Sequence, residues 1–194
     1  MVNSVFQFYS GSKDAKPGQG SGESLRDGDQ FPELERVRNW RRTFSNFHEA
    51  PFCMEIDVLD NGTKKKAVRM FKSVEHYYQM SKFPDHPDFQ HLFTMESCSE
   101  ISRSPLLAKM AGGKSGMSKG TLLRPRDVKA DLSFFNNSNK VMEVAQRAKY
   151  KQHPEFLSIL LMTKDADLVH FIGRGGGKVL FKNLMRIRDE ALCQ

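Results

Sequence analysis

The spacing of apolar and polar positions changes several times along the 194 residues. Val5–Tyr9 is rich in aromatic side chains and predicts a short strand. Gly11–Arg26 holds Gly and Pro at a density that predicts irregular backbone. Met54–Leu59 alternates in part, Asp60-Asn61-Gly62 has hairpin chemistry, and Lys66–Phe71 predicts the return strand. Ser73 then caps a predicted helix reaching about Lys82, which Pro84 and Pro87 stop. Ser104-Pro105 opens a second helix that Gly112-Gly113 closes. A Gly/Ser/Lys loop follows, and Thr121–Asn137 shows no clear period. Val141, Val144, Ala145 and Ala148 recur at three and four, so Asn139–Lys151 predicts a helix. His153-Pro154 opens another, Leu168–Ile172 predicts a strand, Gly173–Gly177 a tight loop, and Val179–Leu192 the last helix. The sum is an α+β fold, predominantly helical with a small β-sheet. It is expected to form one domain over 1–194, with a flexible loop at about 11–30.

Composition narrows the function classes. Hydrophobic residues make up 39% and charged residues 27%, the balance of a soluble globular protein. No apolar run approaches the roughly 18 residues a membrane span needs, and the start lacks the pattern of a secretory signal. An intracellular protein without membrane attachment is the expectation. Cys53, Cys98 and Cys193 are widely spaced, with no CxxC or Cys/His cluster, so reduced thiols and no metal are expected. The formal net charge of +7 favours phosphate groups, in a nucleotide or along a nucleic acid, without choosing between them.

Chemistry concentrates on the helix after Ser73. Glu75, Gln79 and Lys82 are spaced by four and seven, so a carboxylate, an amide and an amine share one stripe. By spacing alone that stripe reads as an exposed, salt-bridging face. The adjacent Tyr77 and Tyr78, suited to stacking on bases or sugars, and the position of Glu75 in the first turn favour a cleft instead. His76 is a general base by residue type, though more often a core or positioning group. Asn46, between Phe44-Ser45 and Phe47, reads as a ribose or base-edge contact or as an ordinary turn. Gly173–Gly177 is neither a dinucleotide nor a P-loop motif. Placed between a strand and a helix N-terminus, with Arg174 beside it, it is a phosphate-cradle candidate. Gly112–Lys119 competes with it.

These pieces, in this order, resemble one family. Phe8-Tyr9-Ser10, Ser45-Asn46-Phe47 and Ser73-Val74-Glu75-His76-Tyr77-Tyr78-Gln79 with Lys82-Phe83 are similar to the NADAR (YbiA-like) pattern. Ala108-Lys109-Met110 with Gly112, Val141-Met142, Ala148-Lys149-Tyr150, Leu160-Leu161 with Thr163, Leu168-Val169 and Leu184-Met185 with Ile187-Arg188 continue it. Pro17-Gly18 to Gly22-Glu23 is similar to a loop of longer members. The resemblance implies an α+β, mostly helical fold and N-glycosidase activity on ADP-ribose-like or ribosyl-phosphate ligands. One branch removes ADP-ribose from guanine in nucleic acid, and another hydrolyses phosphoribosylated intermediates of riboflavin synthesis. The resemblance makes Glu75 and Lys82 the expected catalytic pair. The expected ligand contacts are Tyr9, Ser10, Gly22, Glu23, Asn46, Phe47, Tyr78, Phe134, Arg174 and Gly175. Phe134 stands where many members have Trp. An acid and a Trp-Gly common before the last glycine loop are absent, which leaves Asp127 and Asp131 as replacements.

Cleaving an N-glycoside needs negative charge near the anomeric carbon, a route for water and help for the leaving base. The expectation gives Glu75 the ribose or the water. Lys82 holds Glu75 or attacks the anomeric carbon. ADP-ribose or ADP-ribosylated guanine in nucleic acid is the expected partner, with no metal or other cofactor, and the protein is expected to be a monomer. The rivals are a hydrolase of phosphoribosylated riboflavin intermediates and a non-catalytic ADP-ribose or nucleic-acid binding module.

Overall fold

Phe6 and Phe8 are fully buried on the first strand, and much of one half of the fold is built on them. The computed structural model describes residues 3–60, 63–173 and 177–193. In chain order the first elements are β1 (Val5–Phe8), α1 (Pro32–Glu35), α2 (Trp40–Thr43), β2 (Phe52–Asp60), β3 (Thr63–Phe71) and α3 (Val74–Met80). Next come α4 (Pro87–His91), a 3-10 turn (Met95–Ser97), α5 (Glu100–Arg103), α6 (Pro105–Ala111), β4 (Met117–Ser118) and β5 (Thr121–Leu122). The chain closes with α7 (Phe134–Gln152), α8 (Pro154–Leu161), β6 (Asp167–Phe171), β7 (Lys178–Leu180) and α9 (Lys182–Leu192). The fold is α+β with helix dominant, as expected. Among the described residues strand is divided among three small sheets.

Residues 1–48 and 153–194 form one compact unit, and 49–152 form another. In the first, β1 pairs in parallel with β6, and β6 pairs antiparallel with β7. Phe6 meets Phe31 and Trp40 edge-on at 4.9 and 5.1 Å, and Phe8 meets Phe44 and Phe181. The Gly-rich segment is irregular, as its composition predicts, and it is held to the unit by Glu23. That carboxylate accepts hydrogen bonds from the backbone N–H groups of Gln7, Gly18 and Gly20. It also pairs with both Nε and Nη2 of Arg41 at 2.6 Å.

In the second unit β2 and β3 form a long antiparallel hairpin, in register from Phe52↔Phe71 to Asp60↔Thr63. The predicted Asn61-Gly62 turn lies outside the described residues. Phe52, Phe71, Val74, Met80, Phe83, Phe89 and Phe93 anchor the core beneath it.

Two sequence readings are corrected. Val179 and Leu180 belong to β7, so the last helix begins only at Lys182. A short apolar run does not distinguish strand from helix, and the edge of β6 takes this one as a strand. In chain order β6 is followed by β7 and not by a helix N-terminus, and residues 174–176 of the predicted loop lie outside the described residues. No helix N-terminus stands directly behind an anion cradle at that place. The second correction concerns α7, which starts at Phe134, five residues before its apolar period begins. The polar run Asn136-Asn137-Ser138-Asn139 hides the first turns from any periodicity test, and packing of Phe134 secures them.

Among the described residues no helix is long and apolar enough to cross a membrane. The three cysteines are free: Cys98 and Cys193 are exposed and Cys53 is half-buried.

Candidate active site

β3 ends at Phe71, and an extended Ser73 turns the chain into α3. The Ser73 hydroxyl does not cap the helix as expected. It pairs with His76 Nδ1 at 2.8 Å. His76 is fully buried, and its Nε2 has no hydrogen-bond partner among the described residues. Burial pushes its pKa down to about 4, so it is neutral at physiological pH and acts in positioning α3.

The stripe expected to be exposed is buried. Glu75, Gln79 and Lys82 are 8%, 4% and 8% exposed, because α3 packs against both α6 and α7. Gln79 Nε2 donates to Glu75 Oε1 at 2.7 Å, while Gln79 Oε1 has no partner. Burial raises the Glu75 pKa above the ordinary carboxylate range, against the pull of the Gln79 amide and of Lys109 and Lys82. Lys82 moves the other way. Burial lowers its pKa, Glu75 opposes this, and Arg124 and Lys109 add to it. A carboxylate and an amine thus sit within electrostatic reach, each drawn toward neutrality. That arrangement suits proton transfer and nucleophilic amine chemistry.

Lys82 Nζ donates to the Gly112 carbonyl at 3.2 Å and lies 5.3 Å from the Tyr78 ring centre. The Phe134 and Phe135 rings are each 6.0 Å from it. Phe134 is buried and meets Tyr78 edge-on at 5.2 Å, whereas Phe135 is 56% exposed. Gly112 is required at its place because a Cβ there would overlap the Gln79 side-chain amide. Gly112→Ala is expected to cost about 1–3 kcal/mol of stability. Most of that should be recovered when Gln79→Ala is added, since the two positions are coupled. Urea denaturation of the single and double variants checks this.

The expected site residues fall into two groups. Glu75, Tyr78, Lys82 and Phe134 come together in the second unit. Tyr9, Ser10, Gly22, Glu23, Asn46 and Phe47 lie in the first. Around the Gly-rich loop of that unit is a cavity of about 410 Å3 lined by Gln7, Tyr9, Ser12, Lys13, Gly20 and Arg41, among others. Gly22 has φ +75, and its carbonyl accepts from Lys178 Nζ. The Glu23 side chain is fully buried on Arg41. Ser10 is exposed, and Asn46 and Phe47 are half-buried. Arg174 and Gly175 lie outside the described residues.

Of the two replacement acids, Asp131 accepts from the N–H and hydroxyl of Ser133 at 2.7 and 2.6 Å. Its own N–H binds the Lys82 carbonyl. Asp127 is exposed. Among the described residues no group of three His, Cys, Asp or Glu side chains could hold a metal ion.

Sequence reasoning missed Arg124 and Phe135. Arg124 binds the carbonyls of Ala111, Gly113 and Lys114, and no side-chain pattern announces such partners. Phe135 adjoins Phe134, and only the helix phase separates the buried ring from the exposed one.

The structure is similar to the NMR structure of the E. coli protein YbiA, at 22% identity and a TM-score of 0.54, covering 100% of this chain and 88% of that one. At this identity the likeness establishes the fold. No curated protein is matched by the sequence. The family model of the NADAR domain matches residues 35–173, a span that contains α3 and the whole arrangement around Lys82, and the chain belongs to that family.

Proposed function

We propose that the protein is an N-glycosidase that removes ADP-ribose from guanine bases of nucleic acid, with Glu75 and Lys82 as its catalytic residues. One observation carries this reading. Glu75 and Lys82 are buried together, with the carboxylate pKa raised and the amine pKa lowered. A sugar–nitrogen bond breaks through an oxocarbenium-like state, and an ionised Glu75 stabilises that charge or activates water. A neutral Lys82 amine attacks the anomeric carbon as the bond to the guanine nitrogen breaks, and its proton goes to the leaving base. Ring opening gives a Schiff base, which water hydrolyses to free ADP-ribose and the original amine. In the second form of the mechanism Lys82 holds Glu75, and water attacks directly.

The test compares an ADP-ribosylated guanine oligonucleotide with a phosphoribosylated pyrimidine. The expected result is release of ADP-ribose from the first. Release only from the second would transfer the activity to riboflavin intermediates, and binding without release would leave a binding module. The rate should rise with pH as Glu75 ionises, with that limb above the ordinary carboxylate range because burial raises its pKa. Cyanoborohydride added during turnover separates the two mechanisms, since only a Schiff base leaves a sugar adduct on Lys82.

A further inference from the structure

The segment from Gly112 to Phe135 leaves the Lys82 site and returns to it. It departs at Gly112, whose carbonyl takes the Lys82 ammonium. It comes back at Asp131, whose N–H binds the Lys82 carbonyl at 2.8 Å, and at the Phe134 and Phe135 rings. Between these ends it projects the hairpin of β4 and β5. Lys119 and Gly120 both have positive φ at its tip, the conformation that closes a two-residue turn between twisted strands. The hairpin base is fixed: Arg124 binds three carbonyls across it and lies over the Phe83 ring.

Its surface has an uncommon composition. Residues 112–135 hold five Lys or Arg against two Asp, although the whole chain has 30 against 23. Lys114, Lys119 and Arg126 are exposed, and so are Met117, Leu122, Leu132 and Phe135. Leu132 is 81% exposed. The candidate chemistry at Glu75 and Lys82 uses none of these cations, and of the apolar side chains Phe135 is the one that borders Lys82. Exposed cations and an exposed aromatic ring on one stretch of chain match a polyanion that carries flat apolar faces. A single-stranded nucleic acid has that chemistry, with phosphates for the cations and an unpaired base for the ring. A free dinucleotide is too short to need a surface that extends from the site to the hairpin tip.

We infer that the β4–β5 hairpin and Phe135 bind the nucleic-acid strand flanking the modified base, in single-stranded form. This rests on the proposed glycosidase reading, but its test is separate. A fluorescein-labelled, unmodified single strand of about 12 nucleotides, within the usual site sizes for such surfaces, is titrated with the protein over a range of salt. The Lys114→Ala/Lys119→Ala/Arg126→Ala variant should bind about tenfold more weakly, with a salt slope shallower by about two. Phe135→Ala should lose roughly fivefold or more, and Phe135→Trp should restore binding. Circular dichroism checks that each variant is folded. Release of ADP-ribose from an ADP-ribosylated guanosine, which has no flanking strand, should stay within about twofold of the parent in the Lys114→Ala/Lys119→Ala/Arg126→Ala variant.

Equal affinity of parent and triple variant for the single strand would overturn the inference. So would equal affinity of the parent for the corresponding duplex. If the parent binds the strand as described but never releases ADP-ribose, the surface stands and the glycosidase reading fails. If ADP-ribose is released but the variants act on the oligonucleotide as the parent does, the surface fails and the glycosidase reading stands.

Discussion

Glu75→Gln should lower the release of ADP-ribose by about 10²–10⁴-fold, the usual contribution of a positioned acid–base group, or about 3–5.5 kcal/mol of barrier. The substitution keeps the shape of the side chain and removes its charge. It also suits its neighbour, because the new amide oxygen can still accept from Gln79 Nε2. Stability should therefore move opposite to activity. The folded state raises the Glu75 pKa, so the stability linked to this group is fully present below the unfolded value and is lost as pH rises through the folded value. At neutral pH the parent bears that loss and the variant does not. Its melting temperature should equal or exceed the parent's, as when an active site holds charge at the expense of stability. An unchanged rate in this variant would remove Glu75 from the mechanism. Lys82→Met is the companion. It takes away a charge that lowers the Glu75 pKa, so any remaining activity should show its acid limb at higher pH. If Lys82 is the nucleophile, the cyanoborohydride adduct disappears with it.

The helix that carries this pair was legible because its signals are local. A strand end, a serine and two following prolines place α3 within two residues of its observed end, and the 3.6-residue period aligns Glu75, Gln79 and Lys82. The period could not say which way the stripe faces. A charged stripe reads as solvated, and only the covering helices α6 and α7, distant in sequence, bury it. β7 escaped for a similar reason. Three residues carry too little pattern, and their conformation is decided by the β6 edge. The β4–β5 hairpin is shorter still, and Gly, Ser and Lys around it read as a plain loop. The periodicity placed Glu75 and Lys82 on one stripe, the resemblance made them a pair, and the structure buries both. The resemblance gave Glu23 a ligand contact, whereas the Glu23 carboxylate is directed into the loop that bears it.

Glu23→Ala should accordingly cost about 3–5 kcal/mol, the loss usual when one member of a buried ion pair is removed. Arg41 is 2% exposed and stacks on Trp40, with its guanidinium 4.1 Å from the ring centre, so it cannot easily move out to water. Without Glu23 that charge keeps, among the described residues, the carbonyls of Ala15 and Lys16, and the N–H groups of Gln7, Gly18 and Gly20 lose an acceptor. Glu23→Gln retains an acceptor oxygen and should cost less, about 1–3 kcal/mol. Trp40 is the single tryptophan of the chain, so its fluorescence during urea unfolding reports directly on this unit. Arg41→Ala alone should be comparably destabilising, and the double variant should lose far less than the sum of the two. Additive losses would mean that the pair is not coupled and that the loop is held by its backbone contacts alone. Coupling of several kcal/mol would make Glu23 the anchor of the cavity beside Gln7 and Tyr9, a role that precedes any contact with a ligand.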